Sequence, residues 1–87
     1  MHRDVKLENI MISNEKDDML ELRLIDFGLS KFIDEKESIF KDCGTPGYIA
    51  PEIIYGHEYN EKVDIFSVGV IMYMLIAGNA PFDGDNV

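Results

Sequence analysis

The chain has 87 residues, with 17 Asp and Glu against 8 Lys and Arg, a formal charge of −9, and 46% hydrophobic residues. That is too apolar for simple disorder, and too short for a complete barrel or doubly wound sheet, because a chain of this length buries only about 60% of its unfolded surface. The acidic balance and scattered basic residues exclude a nucleic-acid surface, where phosphates must be met by clustered Lys and Arg. No segment reaches the roughly 20 apolar residues of a membrane span: Val63 to Ala77 is the longest and contains Asp64. A lone Cys43 and a start without a signal-peptide pattern set the expectation of a cytoplasmic, reducing location.

In chain order, Ile10-Met11-Ile12 is a short apolar run followed by the polar stretch Ser13 to Asp18. Leu20-Glu21-Leu22-Arg23-Leu24 alternates with period two, so the two segments are expected to form a hairpin with Ser13–Asp18 as its surface loop. Lys31 to Cys43 mixes charge with sparse apolar anchors and is expected to be an exposed loop. Gly44, Pro46, Gly47 and Pro51 forbid a regular element until Pro51, which suits the first turn of a short helix ending near Gly56. The strongest element follows Asn60, a good N-cap, and runs from Lys62 to Ala77, with Gly78 as its C-terminal stop. Twelve of those sixteen positions are apolar and lie all round the helix, which predicts burial on every side and therefore a chain that is part of a larger domain.

Three short motifs stand in order: His2-Arg3-Asp4 with Lys6 and Asn9 downstream, Asp26-Phe27-Gly28, and Ala50-Pro51-Glu52. Taken singly, Asp4 is an ordinary loop carboxylate and Asp26-Phe27-Gly28 a turn at a strand end. Together, at these offsets, they match the protein-kinase signature set. The chain resembles the C-lobe of a eukaryotic protein kinase, from the catalytic loop to the helix after the activation segment. Lys6 and the run Gly44-Thr45-Pro46-Gly47-Tyr48 resemble the serine/threonine kinases, and Cys43 to Glu52 with Ala80-Pro81-Phe82 resembles the calcium/calmodulin-dependent group.

That resemblance implies an α+β, protein-kinase-like fold over residues 1–87: a partial C-lobe of catalytic loop, short hairpin, activation segment and buried long helix. The N-lobe and the later C-terminal helices are expected outside this chain. It implies transfer of the ATP γ-phosphate to Ser or Thr hydroxyls of protein substrates, with Mg²⁺ as the metal. By resemblance Asp4 orients the substrate hydroxyl and accepts its proton, Lys6 contacts the γ-phosphate, and Asn9 and Asp26 hold Mg²⁺. Thr45 bridges Asp4 and Lys6. Met11, with Ile71 and Leu75, forms the apolar stack beneath the adenine, and His2 and Phe27 the stack that ties the lobes together. Asp64 accepts backbone N–H bonds from the catalytic loop; read from the residues alone, it is a first-turn carboxylate complementing the helix dipole. Glu8 faces a basic residue N-terminal to the substrate hydroxyl, while Met74 stands where some relatives carry a second acidic reader.

The family pattern also raises expectations about regulation. Arg3 and Lys31 form the cationic pocket that a phosphorylated activation loop fills in many relatives, and Gly28 closes the motif before it. Lys41 occupies the register of the usual phosphorylated Thr, so control by that route is expected to be absent. Glu37 or Asp42 would pair with Arg3 or Lys31 instead, and Ser38 is the sole hydroxyl between Lys31 and Thr45. Glu52 is expected to lack its Arg partner within this chain. The competing function is a non-catalytic kinase remnant acting as a binding or decoy module, and a third is an unrelated acidic binding domain.

Overall fold

A computed structural model describes residues 1–33 and 43–82. The expectations placed on Asp34, Glu35, Lys36, Glu37, Ser38, Lys41 and Asp42 therefore lie outside the described residues. A 3-10 turn at Leu7–Asn9 leads into β1 (Ile10–Lys16), which pairs antiparallel with β2 (Met19–Leu24). After β2 the chain runs through Asp26-Phe27-Gly28, and past Cys43 it enters α1 (Pro51–Ile54) and α2 (Lys62–Ala77).

The hairpin is longer and its turn tighter than the composition implied. Lys16 pairs with Met19, leaving only Asp17 and Asp18 in the turn, both with positive φ of 53° and 63°. Two central residues at positive φ match the right-handed twist of the flanking strands, and Asp tolerates that conformation better than most residues. The polar run Ser13 to Lys16 is strand because backbone pairing needs no apolar side chain. The register shifts between Ile12 and Asn14, and Ser13, at that irregularity, donates its hydroxyl to the Glu21 carbonyl at 3.2 Å.

Helix α1 begins with Pro51 at its first position, where a missing N–H costs nothing, and extends only to Ile54. Helix α2 has the bounds the sequence predicted. Asn60 Oδ1 accepts the Lys62 N–H at 3.0 Å, and Gly78 closes the helix at φ 80° with its N–H on the Met74 carbonyl. The core cluster is Ala50, Ile53, Tyr59 and Val63, with Met1, Ile49 and Phe66 packed against it. It fastens α1 and the start of α2 beneath the segment that carries Asp4.

Helix α2 is buried along one stripe and open elsewhere, the outcome expected of an all-round apolar helix in a chain with too little material to surround it. Val63, Ser67, Val70 and Ile71 are buried, the i, i+4, i+7, i+8 positions of one stripe. Ile65, Met72, Leu75 and Ile76 are exposed, Ile76 by 85%. Both faces of the hairpin are exposed as well, Leu20 and Leu22 on one and Met11 on the other. The helix is apolar all round, yet the described residues supply a partner for one stripe alone.

An apolar surface of this extent drives association. The 87-residue chain is expected to bind a hydrophobic dye such as ANS and to sediment as concentration-dependent oligomers. Replacing Ile65, Leu75 and Ile76 together with Lys should weaken both signals several-fold, checked by dye fluorescence and sedimentation velocity.

Candidate active site

The site is built on the loop containing Asp4, and the loop is held from α2. Asp64, in the first turn of α2, accepts the His2 N–H at 2.7 Å on Oδ2 and the Arg3 N–H at 2.8 Å on Oδ1. One carboxylate thereby fixes two successive peptide groups by charge-assisted bonds. They hold Arg3 at φ 72°, a left-handed conformation that a long side chain adopts only when its surroundings impose it. The turn at Arg3 delivers Asp4 to the surface of the core. Gly44 passes so near that a Cβ there would lie 3.0 Å from the Arg3 carbonyl oxygen and 3.2 Å from Ile49 Cγ1, at φ 115°. Only glycine fits that approach.

His2 is buried and joins three segments. Its Nδ1 accepts the Asp4 N–H at 3.0 Å, which assigns the ring proton to Nε2, and Nε2 donates to the Ile25 carbonyl at 2.9 Å. The ring also meets Phe27 edge-on, with centroids 4.8 Å apart and planes at 65°. Through Ile25 and Phe27, His2 ties the loop of Asp4 to the segment of Asp26.

The side chains around Asp4 form one hydrogen-bond chain. Thr45 Oγ1 donates to Asp4 Oδ1 at 2.7 Å and accepts from Lys6 Nζ at 3.0 Å, a use of one hydroxyl as donor and acceptor at once. Asn9, buried, donates from Nδ2 to the Asp4 carbonyl at 2.9 Å and, at 3.4 Å, to Asp4 Oδ2. The Asn9 carbonyl in turn accepts the Ile25 N–H at 2.8 Å, which brings Asp26, the next residue, to the same end of the hairpin. Asp26 has φ 58°, and its Oδ1 accepts the Gly28 N–H at 3.3 Å. A Cβ on Gly28 would approach that same oxygen to 3.2 Å.

Asp4, Lys6, Asn9, Thr45, Asp26, His2, Phe27, Gly28, Arg3 and Asp64 are thus gathered around one loop. Other expected residues are not. Met11 is 52% exposed and Leu75 71% exposed, while Ile71 is buried on the inner stripe of α2. Glu8 is exposed on the 3-10 turn, open to solvent. Lys31 is exposed, and its backbone exchanges two bonds with Met1, at 3.0 and 3.1 Å. The Glu52 carboxylate has no hydrogen-bond or ion-pair partner among the described residues.

Two residues of the site escaped the sequence. Tyr59 is buried in the core, its hydroxyl accepting from Arg3 at 3.0 Å and lying 3.8 Å from Cys43 Sγ. Ser67, one turn after Val63, donates to the Tyr48 carbonyl at 2.7 Å and thereby fastens the Thr45–Tyr48 segment to α2. The signals were a single aromatic in the polar run Glu58 to Glu61 and the one aliphatic hydroxyl of an apolar helix.

The amino-acid sequence matches known proteins along its whole length. The family described as protein kinase domain matches residues 1–87. The chain belongs to that family. Over all 87 residues it is 48% identical to a probable serine/threonine-protein kinase 2 of Plasmodium falciparum, covering 17% of that protein, and 45% identical to myosin light chain kinase A of Dictyostelium discoideum, covering 29% of it. It is 41% identical, again over 87 residues, to the SNF1-related protein kinase catalytic subunit alpha KIN12 of Arabidopsis thaliana, 17% of whose length it covers. The chain thus spans less than a third of the length of each of these serine/threonine kinase relatives.

The anchoring by Asp64 gives the first test of this geometry. Asp64→Asn replaces one acceptor oxygen by an NH₂ group facing a backbone N–H, and is expected to destabilise the full-length protein by about 1.5–3 kcal/mol. Chemical denaturation of both proteins, comparing midpoints at equal slope, measures it.

Proposed function

We propose that this chain is the catalytic-loop portion of the C-lobe of a serine/threonine protein kinase, which transfers the ATP γ-phosphate to a Ser or Thr hydroxyl of a protein substrate. The observation that carries the reading is the Lys6–Thr45–Asp4 hydrogen-bond chain, at 3.0 and 2.7 Å, because it joins an acceptor, a cation and a hydroxyl bridge at one surface. Phosphoryl transfer asks for positioning and for compensation of spreading negative charge more than for covalent chemistry.

In this reading Asp4 is the base. Thr45 and Asn9 hold its carboxylate from two sides, so it meets the incoming hydroxyl in a fixed orientation and takes up the proton. Thr45 positions the Lys6 ammonium near that carboxylate, where it faces the charge that develops on the transferred group. Asn9 commits its amide nitrogen to Asp4, which leaves the amide oxygen as the ligand atom, and Asp26 supplies a carboxylate at the same end of the hairpin. One carboxylate plus one amide oxygen fits Mg²⁺, a hard ion that is held by one or two protein oxygens together with substrate phosphates. Consistently, no group of three or more His, Cys, Asp and Glu side chains converges into a protein cage among the described residues. Asn9 and Asp26 would hold the ion, whose positive charge would help neutralise the phosphates.

In the full-length protein, Asp4→Asn is expected to lower kcat by about 10²–10⁴-fold, the range for removal of a general base. Asp26→Ala should do at least as much through loss of the metal ligand. Steady-state phosphotransfer to a serine peptide measures both, and near wild-type turnover in either would refute the assignment.

Glu8 supplies a substrate-facing carboxylate, exposed and next to the Asp4 loop. It favours peptides with basic residues N-terminal to the phosphorylated Ser or Thr. A peptide array on the full-length protein is expected to show that preference, and Glu8→Gln should reduce it several-fold, more strongly at low salt.

A further inference from the structure

The segment Glu58 to Glu61 contributes one apolar-bodied residue to the core, and that residue ends on a polar atom. Tyr59 is 4% exposed, and its ring packs with Ala50, Ile53 and Val63. Its hydroxyl accepts a bond from Arg3 NH1 at 3.0 Å. Arg3 is equally buried, at 4%, and its Nε donates to the Leu29 carbonyl at 2.6 Å. Among the described residues, the guanidinium immediately before Asp4 is therefore gripped at two points. One lies on the segment that follows Asp26-Phe27-Gly28, the other on the segment that opens α2.

We infer that Tyr59 is a positioning residue for phosphoryl transfer, its buried hydroxyl fixing the Arg3 guanidinium and, through Arg3, the orientation of Asp4. The inference rests on the functional reading above and extends it to a residue outside the signature motifs.

Three observations support it. The backbone at Arg3 is left-handed, φ 72°, so the peptide that leads into Asp4 is held by its surroundings. The Asp64 carboxylate fixes the N–H side of that residue, and the Tyr59 hydroxyl and Leu29 carbonyl fix the far end of the same side chain. A guanidinium is planar and rigid, so two bonds to it set a direction as well as a distance. Burial pushes the Tyr59 phenol above its usual value of 10.0, while the bond from Arg3 lowers it; at neutral pH the group is a neutral acceptor. A neutral acceptor orients the cation without discharging it, and a displacement of about 1 Å at a catalytic loop is enough to cost on the order of 10²-fold in rate.

The test is a double-mutant cycle in the full-length protein, with kcat, KM for ATP and the fraction of active enzyme measured for each member. Tyr59→Phe keeps the ring in the core and removes only the hydroxyl. It is expected to lower kcat per active site three- to tenfold while leaving KM for ATP within twofold. In an Arg3→Met background the same substitution is expected to change kcat by less than 1.5-fold, since the group it acts through is gone. Asp4→Asn is run beside them. Loss of turnover in Asp4→Asn with an unchanged kcat in Tyr59→Phe overturns this inference alone. So does an equal loss from Tyr59→Phe in both backgrounds, or a loss accounted for entirely by a lower active fraction. Turnover surviving in Asp4→Asn overturns the functional reading and this inference with it.

Discussion

A single carboxylate on a helix holds the site in shape. Asp64 projects from the first turn of α2 and accepts two consecutive backbone N–H groups, those of His2 and Arg3. Every other feature of the Asp4 loop depends on that pair of bonds: the left-handed turn at Arg3, the close passage of Gly44, and the point at which Asp4 emerges. A loop with four polar or charged side chains would otherwise have many competing conformations, each solvated at little cost. Tying its backbone to a helix that is itself anchored in the core by Val63 converts it into a rigid platform. The helix N-terminus is a favourable place for such a carboxylate, since its partial positive charge and the two donors act in the same direction.

Around that anchor the polar groups are used with little redundancy. The two nitrogens of His2, the hydroxyl of Thr45 and the amide of Asn9 each connect Asp4 to a different segment. Together they bring the Asp4 loop, the end of the hairpin and the segment beginning at Cys43 to one surface. The arrangement is suited to a reaction in which orientation and electrostatics carry most of the rate enhancement, because its groups hold one another by direct hydrogen bonds. It also separates two tasks. The inner stripe of α2 supports the site, while its outer faces, rich in Ile, Leu and Met, are left open.

Much of this was legible in the amino-acid sequence, and for identifiable reasons. Helix α2 was signalled by local chemistry at both ends, Asn60 just ahead of the cap residue Glu61 and a Gly stop, with a mostly apolar run between, and its bounds agree with the structure. The short helix at Pro51 and the hairpin followed from proline geometry and from period-two alternation. The hairpin turn was misplaced because the polar residues Ser13 to Lys16 resemble a loop in composition, and strand pairing at an exposed edge is decided by backbone bonds that leave no trace in hydropathy. The residues gathered around the Asp4 loop were legible as a set, since the spacing of His2, Asp4, Lys6, Asn9 and Asp26 is itself a signature.

What the sequence determined by itself, then, was local: where elements start and stop, and which residue types stand at which intervals. Tertiary structure decided which of them meet. The burial of α2 along one stripe, the exposure of Met11 and Leu75, and the joining of Thr45 to Asp4 across 41 positions of chain are outcomes of packing. Tyr59 illustrates the division most clearly. In sequence it is one aromatic in a polar run, and no periodicity distinguishes it from a surface tyrosine. It becomes a partner of Arg3 only because the core of Ala50, Ile53 and Val63 draws its ring inward and leaves the hydroxyl facing a guanidinium 56 positions away. Such contacts depend on where whole segments pack against one another, and hydrophobic burial, which drives that packing, is non-directional and writes no pairwise code into the chain.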